Sequence, residues 1–196
     1  MINEKNLLRG NLNMKNVTKL FFVISMLLSS HVLAATITWG APTTYVSVND
    51  VFSIDVVGTG FLSNVDGGGV NISFDQTVVN VLSVTINEVV WDFGGAGIST
   101  GLIDNLNGTL NGIMVNTFAN VTGDFVVASI QMQAIGVGNS SLLLTENALN
   151  PWASGGSAIN PTYVGGVIAV PVPAAVWLFG SGLLGMFGVA KRKRSA

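Results

Sequence analysis

The chain has 196 residues, with 8 Lys+Arg, 10 Asp+Glu, one His and no Cys, for a formal net charge of −2. Every cation lies near an end: Lys5, Arg9, Lys15 and Lys19 at one, and Lys191, Arg192, Lys193 and Arg194 at the other. Residues 35–170 therefore hold nine carboxylates against no Lys, Arg or His, a formal −9. Such a polyanion cannot neutralise phosphates, which makes nucleic acid a poor partner. It also lacks the bases of Ser-His-Asp, Cys-His or Ser-Lys nucleophile systems and the Cys/His ligands of zinc sites. Without disulfides the fold has to stand on its own core, for which about 135 residues are enough.

At the N-terminus, Lys15 and Lys19 precede the apolar run Leu20–Leu28, and Val32-Leu33-Ala34 leads into Ala35. A basic flank, a short apolar stretch and small residues at alternate positions are the parts of a secretory signal peptide. The expected signal spans residues 1–34 as a short helix, with signal peptidase cutting between Ala34 and Ala35. Met1 and Met14 are both open as the start. A retained N-terminal anchor is the alternative, although the apolar run is short for one.

The middle, residues 35–170, is rich in Val, Ile, Thr, Ser, Asn and Gly, a composition that favours strands and turns. Phe52, Ile54 and Val56 alternate with Ser53, Asp55 and Val57. Val70, Ile72 and Phe74 alternate with Asn71, Ser73 and Asp75, and Val126, Ala128, Ile130 and Met132 with their neighbours. Period two with one apolar face predicts antiparallel strands wet on one side. Asp66-Gly67-Gly68-Gly69, Asn107-Gly108, Asn111-Gly112 and Gly136-Val137-Gly138-Asn139 read as turns, and Gly94-Gly95-Ala96-Gly97 as a loop between two halves. About eight or nine strands are expected, in an all-β two-sheet sandwich.

At the C-terminus, Ala174–Ala190 is uncharged and is followed directly by Lys191, Arg192, Lys193 and Arg194. The expectation is a transmembrane helix over 174–190 with a basic stop at 191–194 that stays cytoplasmic. Both topogenic signals send the middle across the membrane.

The order Val170-Pro171-Val172-Pro173-Ala174-Ala175, apolar stretch and basic end resembles a PEP-CTERM sorting tail, in the variant that reads Val-Pro-x-Pro-Ala. The resemblance covers residues 171–196 and the valine before them. It implies recognition by an exosortase, a membrane-embedded cysteine protease and transpeptidase of Gram-negative bacteria. Val172 stands where the name-giving Glu would be. A plain single-pass anchor is the alternative. Loss of both ends would remove every cation.

Within the middle, Val51–Val57 followed by Gly58, then Val70–Val84, Phe125–Ala134, Leu142–Leu144 and Gly165–Val170, is similar to a cohesin. That resemblance implies a jelly-roll-like sandwich related to cellulose-binding modules, and a dockerin-like protein as one class of partner.

For chemistry, the middle offers carboxylates and aromatic rings. Calcium takes carboxylate and carbonyl oxygens, and Asp66, Asp75, Asp92, Asp104 and Asp124 are the candidate ligands, with turn and cap roles as the alternative. Trp91 with Phe93, and Trp152, are candidate stacking faces for a sugar ring; core packing is the alternative, and is preferred for Trp39. With no cation to clamp a substrate, no enzyme is expected. The chain reads as an exported, non-catalytic module of the cell surface or extracellular matrix that binds polysaccharide or a partner protein. A structural or adhesive biofilm protein without a discrete ligand is the alternative, and a two-carboxylate glycan-active enzyme a further one.

Overall fold

A computed structural model describes residues 34–172 and 174–193. Residues 1–33 of the expected signal at 1–34, Pro173 and residues 194–196, Arg194 of the expected basic stop among them, lie outside the described residues.

The strands run in chain order as β1 (Thr36–Trp39), β2 (Thr43–Tyr45), β3 (Val51–Ser73), β4 (Val79–Thr85), β5 (Ser99–Asp104), β6 (Thr109–Ala134), β7 (Gly138–Glu146), β8 (Ala153–Ser154), β9 (Ser157–Ala158), β10 (Thr162–Tyr163) and β11 (Gly166–Val170). A helix, α1 (Ala174–Lys193), follows. The sandwich is all-β, as the period-two pattern predicts. It has eleven strands rather than eight or nine, because β8, β9 and β10 are two-residue pairings too short to leave a sequence pattern.

Two strands dominate. β3 and β6 are 23 and 26 residues long, pair antiparallel from Val51↔Gln133 to Ser73↔Thr109, and slip register at five places. Bulges bend a strand and increase its twist, so each strand serves both layers. In the first layer the order is β10, β1, the first half of β3, the second half of β6, then β4. In the second it is β5, the first half of β6, the second half of β3, β7, β11 and β2. The β1–β10 and β2–β11 contacts are parallel and the rest antiparallel.

The predicted inward faces are inward: Ile54, Val56, Val70, Ile72, Phe74, Ala128, Ile130 and Met132 are buried between the layers. Val126 is the exception and is partly exposed, while its neighbour Val127 is buried. The Val56/Val57 slip lies in this stretch of the β3–β6 pairing. Trp39 is in the core, its indole N–H donating to Leu142 O at 3.2 Å.

Two turn expectations are corrected. Gly67, Gly68 and Gly69 lie inside β3, not in a turn. The Trp152 ring rests on the backbone at Gly68, and a Cβ there would fall inside the indole. Asn111-Gly112 is likewise inside β6; Gly112, at φ +83°, sits at a register slip and its N–H donates to Asn71 Oδ1 at 2.8 Å. The other turn signals do make connections: Asn107-Gly108 joins β5 to β6, Gly136-Val137 joins β6 to β7, and Gly94–Gly97 lies between β4 and β5.

The sandwich has two distinct ends. At one, the β2–β3, β3–β4, β5–β6 and β6–β7 connections are laced together: Asn49 N–H donates to Ala134 O, Ile135 N–H to Val78 O, and Phe74 N–H to Gly108 O. The C-terminal tail leaves from this end, because Val170 pairs with Gly138. At the other end lie the crossing segments of β3 and β6, the 86–98 loop and the 147–160 loop, joined by Phe93 N–H to Asn116 O and Asn147 N–H to Gly69 O. The domain's N-terminus is on this far side, since Thr36 pairs with Thr59 and Ala35 O accepts from Thr162 N–H.

The helix expected at the C-terminus forms as α1 and takes in the uncharged stretch 174–190. Among the described residues no helix is long and apolar enough to cross a membrane. Its uncharged part, Ala174–Ala190, is diluted by Gly180, Ser181, Gly182, Gly185 and Gly188. The preceding apolar residues 166–170 cannot extend it, because they are hydrogen-bonded in β11.

Candidate functional site

The far end is built on an aromatic cluster. Phe61 from β3, Phe125 from β6, Trp91 from the 86–98 loop and Trp152 from the 147–160 loop pack with ring centroids 4.9 to 6.4 Å apart. Trp91 and Trp152 are 0 % exposed. Trp91 is pinned by its indole N–H donating to Val126 O at 2.8 Å. The sugar-stacking expectation for Trp91 and Trp152 is therefore overturned: glycine backbone on β3 makes room for Trp152, and the loop residues around both rings fold over the sandwich end. Among the described residues, Trp152 Nε1 and Tyr163 Oη meet no partner at hydrogen-bond geometry. Burial first, and Glu146 second, push the Tyr163 hydroxyl up to about 12.

Phe93 is different. It is 38 % exposed and meets Phe118, itself 79 % exposed, edge-on at 4.5 Å. The two rings stand at the rim of a groove of about 360 Å³ whose other lining residues are Asp66, Asn116, Thr117 and Ala119. Thr, Asn and Asp contacts fix this wall. Thr117 Oγ1 and Phe118 N–H donate to Asp92 Oδ1 at 2.6 and 3.0 Å, and Asn116 Nδ2 donates to Gly97 O at 2.6 Å. Asp66 Oδ2 accepts from Gly156 N–H at 2.9 Å, which ties the β8–β9 turn to the groove. A carboxylate has about four lone-pair sites, so Asp66 keeps acceptor capacity. Sequence reasoning missed Phe118. Its signal was phase: Ile113, Val115 and Thr117 point inward, so an aromatic at 118 has to point out.

The five candidate calcium ligands are not brought together. Among the described residues no three His, Cys, Asp or Glu side chains gather at one point. Each acid instead caps nearby backbone. Asp75 accepts from Thr77 N–H and Oγ1, Asp104 from Leu106 N–H and from Asn107 N–H and Nδ2, and Asp124 from Gly60 N–H. Such bonds favour the ionised form. The Thr77 hydroxyl holds Asp75, the Thr117 hydroxyl holds Asp92 and the Asn107 amide holds Asp104 below the usual carboxylate range. A depressed folded pKa stabilises above the unfolded value and loses that contribution as pH falls through the folded one. Asp104→Asn is therefore expected to destabilise at neutral pH, with the gap to the parent closing below about pH 4. Thermal melts of both proteins across that range check it; a gap that widens in acid contradicts it.

The sorting segment begins inside the fold. Val170 is buried as the last residue of β11, Pro171 and Val172 are exposed, and Ala174 and Ala175 are the exposed first turn of α1. Lys191, Arg192 and Lys193 form its last turn.

Residues 169–194 match the model of the PEP-CTERM protein-sorting motif. A tail of this kind marks a chain for export and membrane-associated sorting in Gram-negative bacteria. No curated protein matches the chain. Among solved structures, the sandwich is similar to CaCohA2 from Clostridium acetobutylicum at 16 % identity and TM-score 0.58, over 70 % of this chain and 92 % of that one. It is similar to the seventh ScaB type I cohesin of Pseudobacteroides cellulosolvens at 12 % identity and TM-score 0.57, over 71 % and 94 %. The third ScaC cohesin of Acetivibrio cellulolyticus, seen in complex with the ScaB dockerin, matches at 21 % identity and TM-score 0.55, over 70 % and 99 %. The sandwich has the cohesin fold. A cohesin-like domain thus runs directly into a sorting tail, with three residues between the last strand and the helix.

Proposed function

We propose that the chain is an exported, non-catalytic binding module. Signal peptidase frees Ala35, an exosortase-type enzyme processes the tail, and the cohesin-like domain works at the cell surface or in the extracellular matrix of a Gram-negative bacterium. The observation that carries this reading is the open Phe93–Phe118 groove at the sandwich end opposite the tail.

The groove suits a polysaccharide. Two exposed rings offer apolar faces to sugar C–H groups, and rigid aromatics lose little entropy on binding. Asp66 and Asn116 supply hydroxyl partners. A −9 domain repels anionic polymers at low salt, so the ligand is a neutral glycan. Catalysis is disfavoured because residues 35–170 hold no Lys, Arg or His to clamp a substrate or act as a base. Phe118→Ala and Phe93→Ala are each expected to weaken glycan binding about tenfold, roughly 1.4 kcal/mol, with melting temperature little changed. Affinity electrophoresis in neutral polysaccharide gels reads this directly; unaltered retention of both variants would refute the site.

A second observation favours a protein partner. The outer face of the second layer presents the exposed Leu102 and Leu143 among Asn71, Ser73, Asn111 and Ser141, with a shallow pocket beside Leu143 that Asp75 also lines. A dockerin-like partner would bury those leucines. Leu102→Asp with Leu143→Asp is expected to abolish such capture and leave glycan retention intact.

A further inference from the structure

The uncharged part of α1, Ala174–Ala190, has 17 residues. At 1.5 Å per residue it is about 26 Å long, against about 30 Å of hydrocarbon in a bilayer. It cannot borrow length upstream, because Val170 is fixed in β11 against Gly138. A short span is accommodated by thinning the bilayer or by drawing its flanking structure toward the interface.

The flanking structure here is the end of the sandwich. Tyr45, Val51, Leu106, Ile135, Val137 and Val172 are exposed there, at the end of β2 and start of β3, on the β5–β6 and β6–β7 connections and on the exit segment itself. They are neighbours through the backbone: Tyr45 pairs with Ala169, Val170 with Gly138, Val51 with Gln133, and Ile135 N–H donates to Val78 O. From Val170 to Ala174 the chain reaches at most about 14 Å, and Pro171 and Pro173 stiffen it. This end cannot be held far from the first turn of the helix. Exposed apolar side chains occur at the far end as well, as Leu62, Val89 and Leu149. Exposure alone does not choose between the ends; the tether does.

We infer that the tail-exit end of the sandwich is a membrane-seating surface, which rests in the lipid interface while α1 is inserted and makes up the shortfall of that helix. The inference depends on the membrane-sorting reading of the tail. The carboxylates at this end, Asp50, Asp75 and Asp104, are turned to their own loops: Asp50 accepts from Ser47 N–H at 2.7 Å, and the other two from Thr77 and from Leu106 and Asn107. With no cation present in the sandwich, anionic headgroups have nothing to attract, so the contact is apolar and suits zwitterionic lipid. Tyr is a residue of membrane–water interfaces. Seating also places the far-end groove away from the lipid, open to the periplasmic side.

The test uses the absence of cysteine. Full chains with Val137→Cys, Leu62→Cys or Leu184→Cys carry one environment-sensitive fluorophore each and are reconstituted into phosphatidylcholine vesicles. The label at 184 reports insertion of the helix. The expected result is a dry label at 184, a blue-shifted label at 137 with several-fold weaker iodide quenching than at 62, and a fully aqueous label at 62. A dry 184 with 137 as wet as 62 overturns the seating surface and leaves the tail reading standing. A wet 184 overturns both.

Discussion

Trp152→Ala is expected to cost the domain about 3–5 kcal/mol. The ring is wholly buried, touches Phe61, Phe125 and Trp91, and lies flat on the backbone at Gly68. Its removal leaves a cavity that three other rings and a glycine strand cannot collapse to fill. Native domains are stable by only about 5–15 kcal/mol, so this one change takes a large share of the total. Gly68→Val attacks the same contact from the other side by overpacking, at about 1–3 kcal/mol or more. Urea unfolding followed by circular dichroism checks both. The account also requires the opposite pattern at Phe118, where loss of an exposed ring stays within about 0.5 kcal/mol while binding falls. A Trp152→Ala protein as stable as the parent but blind to glycan would reverse the assignment of core and site.

Truncation after Val170 is the second large effect. β11 ends there, with Val170 buried against its partner Gly138 on β7 and Ala169 paired with Tyr45 on β2. The shortened protein keeps every strand, and its melting temperature is expected within a few degrees of the parent's. What it loses is the sorting tail: membrane association in cell fractionation drops from nearly complete to background, because the apolar rim alone buries too little surface to hold the domain. Replacing Lys191, Arg192, Lys193 and Arg194 with neutral residues is expected to act in the same direction by removing the positive stop. A truncated chain that stays in the membrane fraction, or one that unfolds, contradicts the division between domain and tail.

The strands were legible because their cause is local. Ile54 and Val56, or Val70, Ile72 and Phe74, must face one way in an extended chain, and burial makes that face the core. Asn107-Gly108 was legible for the same reason, since Gly108 at φ +66° meets its own turn's demand. Gly67–Gly69 was not. Its role is set by Trp152, more than eighty residues away, and the same three letters serve a turn or a ring's resting place. The depth of Trp91 and Trp152 follows from that long-range contact. β8, β9 and β10 exist because neighbouring segments come within pairing distance, which no two-residue pattern announces. At the groove, Phe93 was legible from its Gly-rich loop. Phe118 needed the inward phase of Ile113 and Val115 to be trusted through Thr117, a polar residue that is buried because it bonds Asp92.

The N-terminus and the tail leave from opposite ends of the sandwich, Ala35 beside Thr162 and Val170 beside Gly138. In the proposed reading, loss of residues 1–34 leaves the far end free to face outward. The net charge of −2 belongs to the full-length chain, and in the proposed reading the working protein is a −9 domain free of Lys, Arg and His over residues 35–170. Intact mass of the protein isolated from the cells that make it tests this most directly. The predicted species begins at Ala35 and lacks Lys191–Arg194; a mature species that retains residues 1–34 or the basic end contradicts the account.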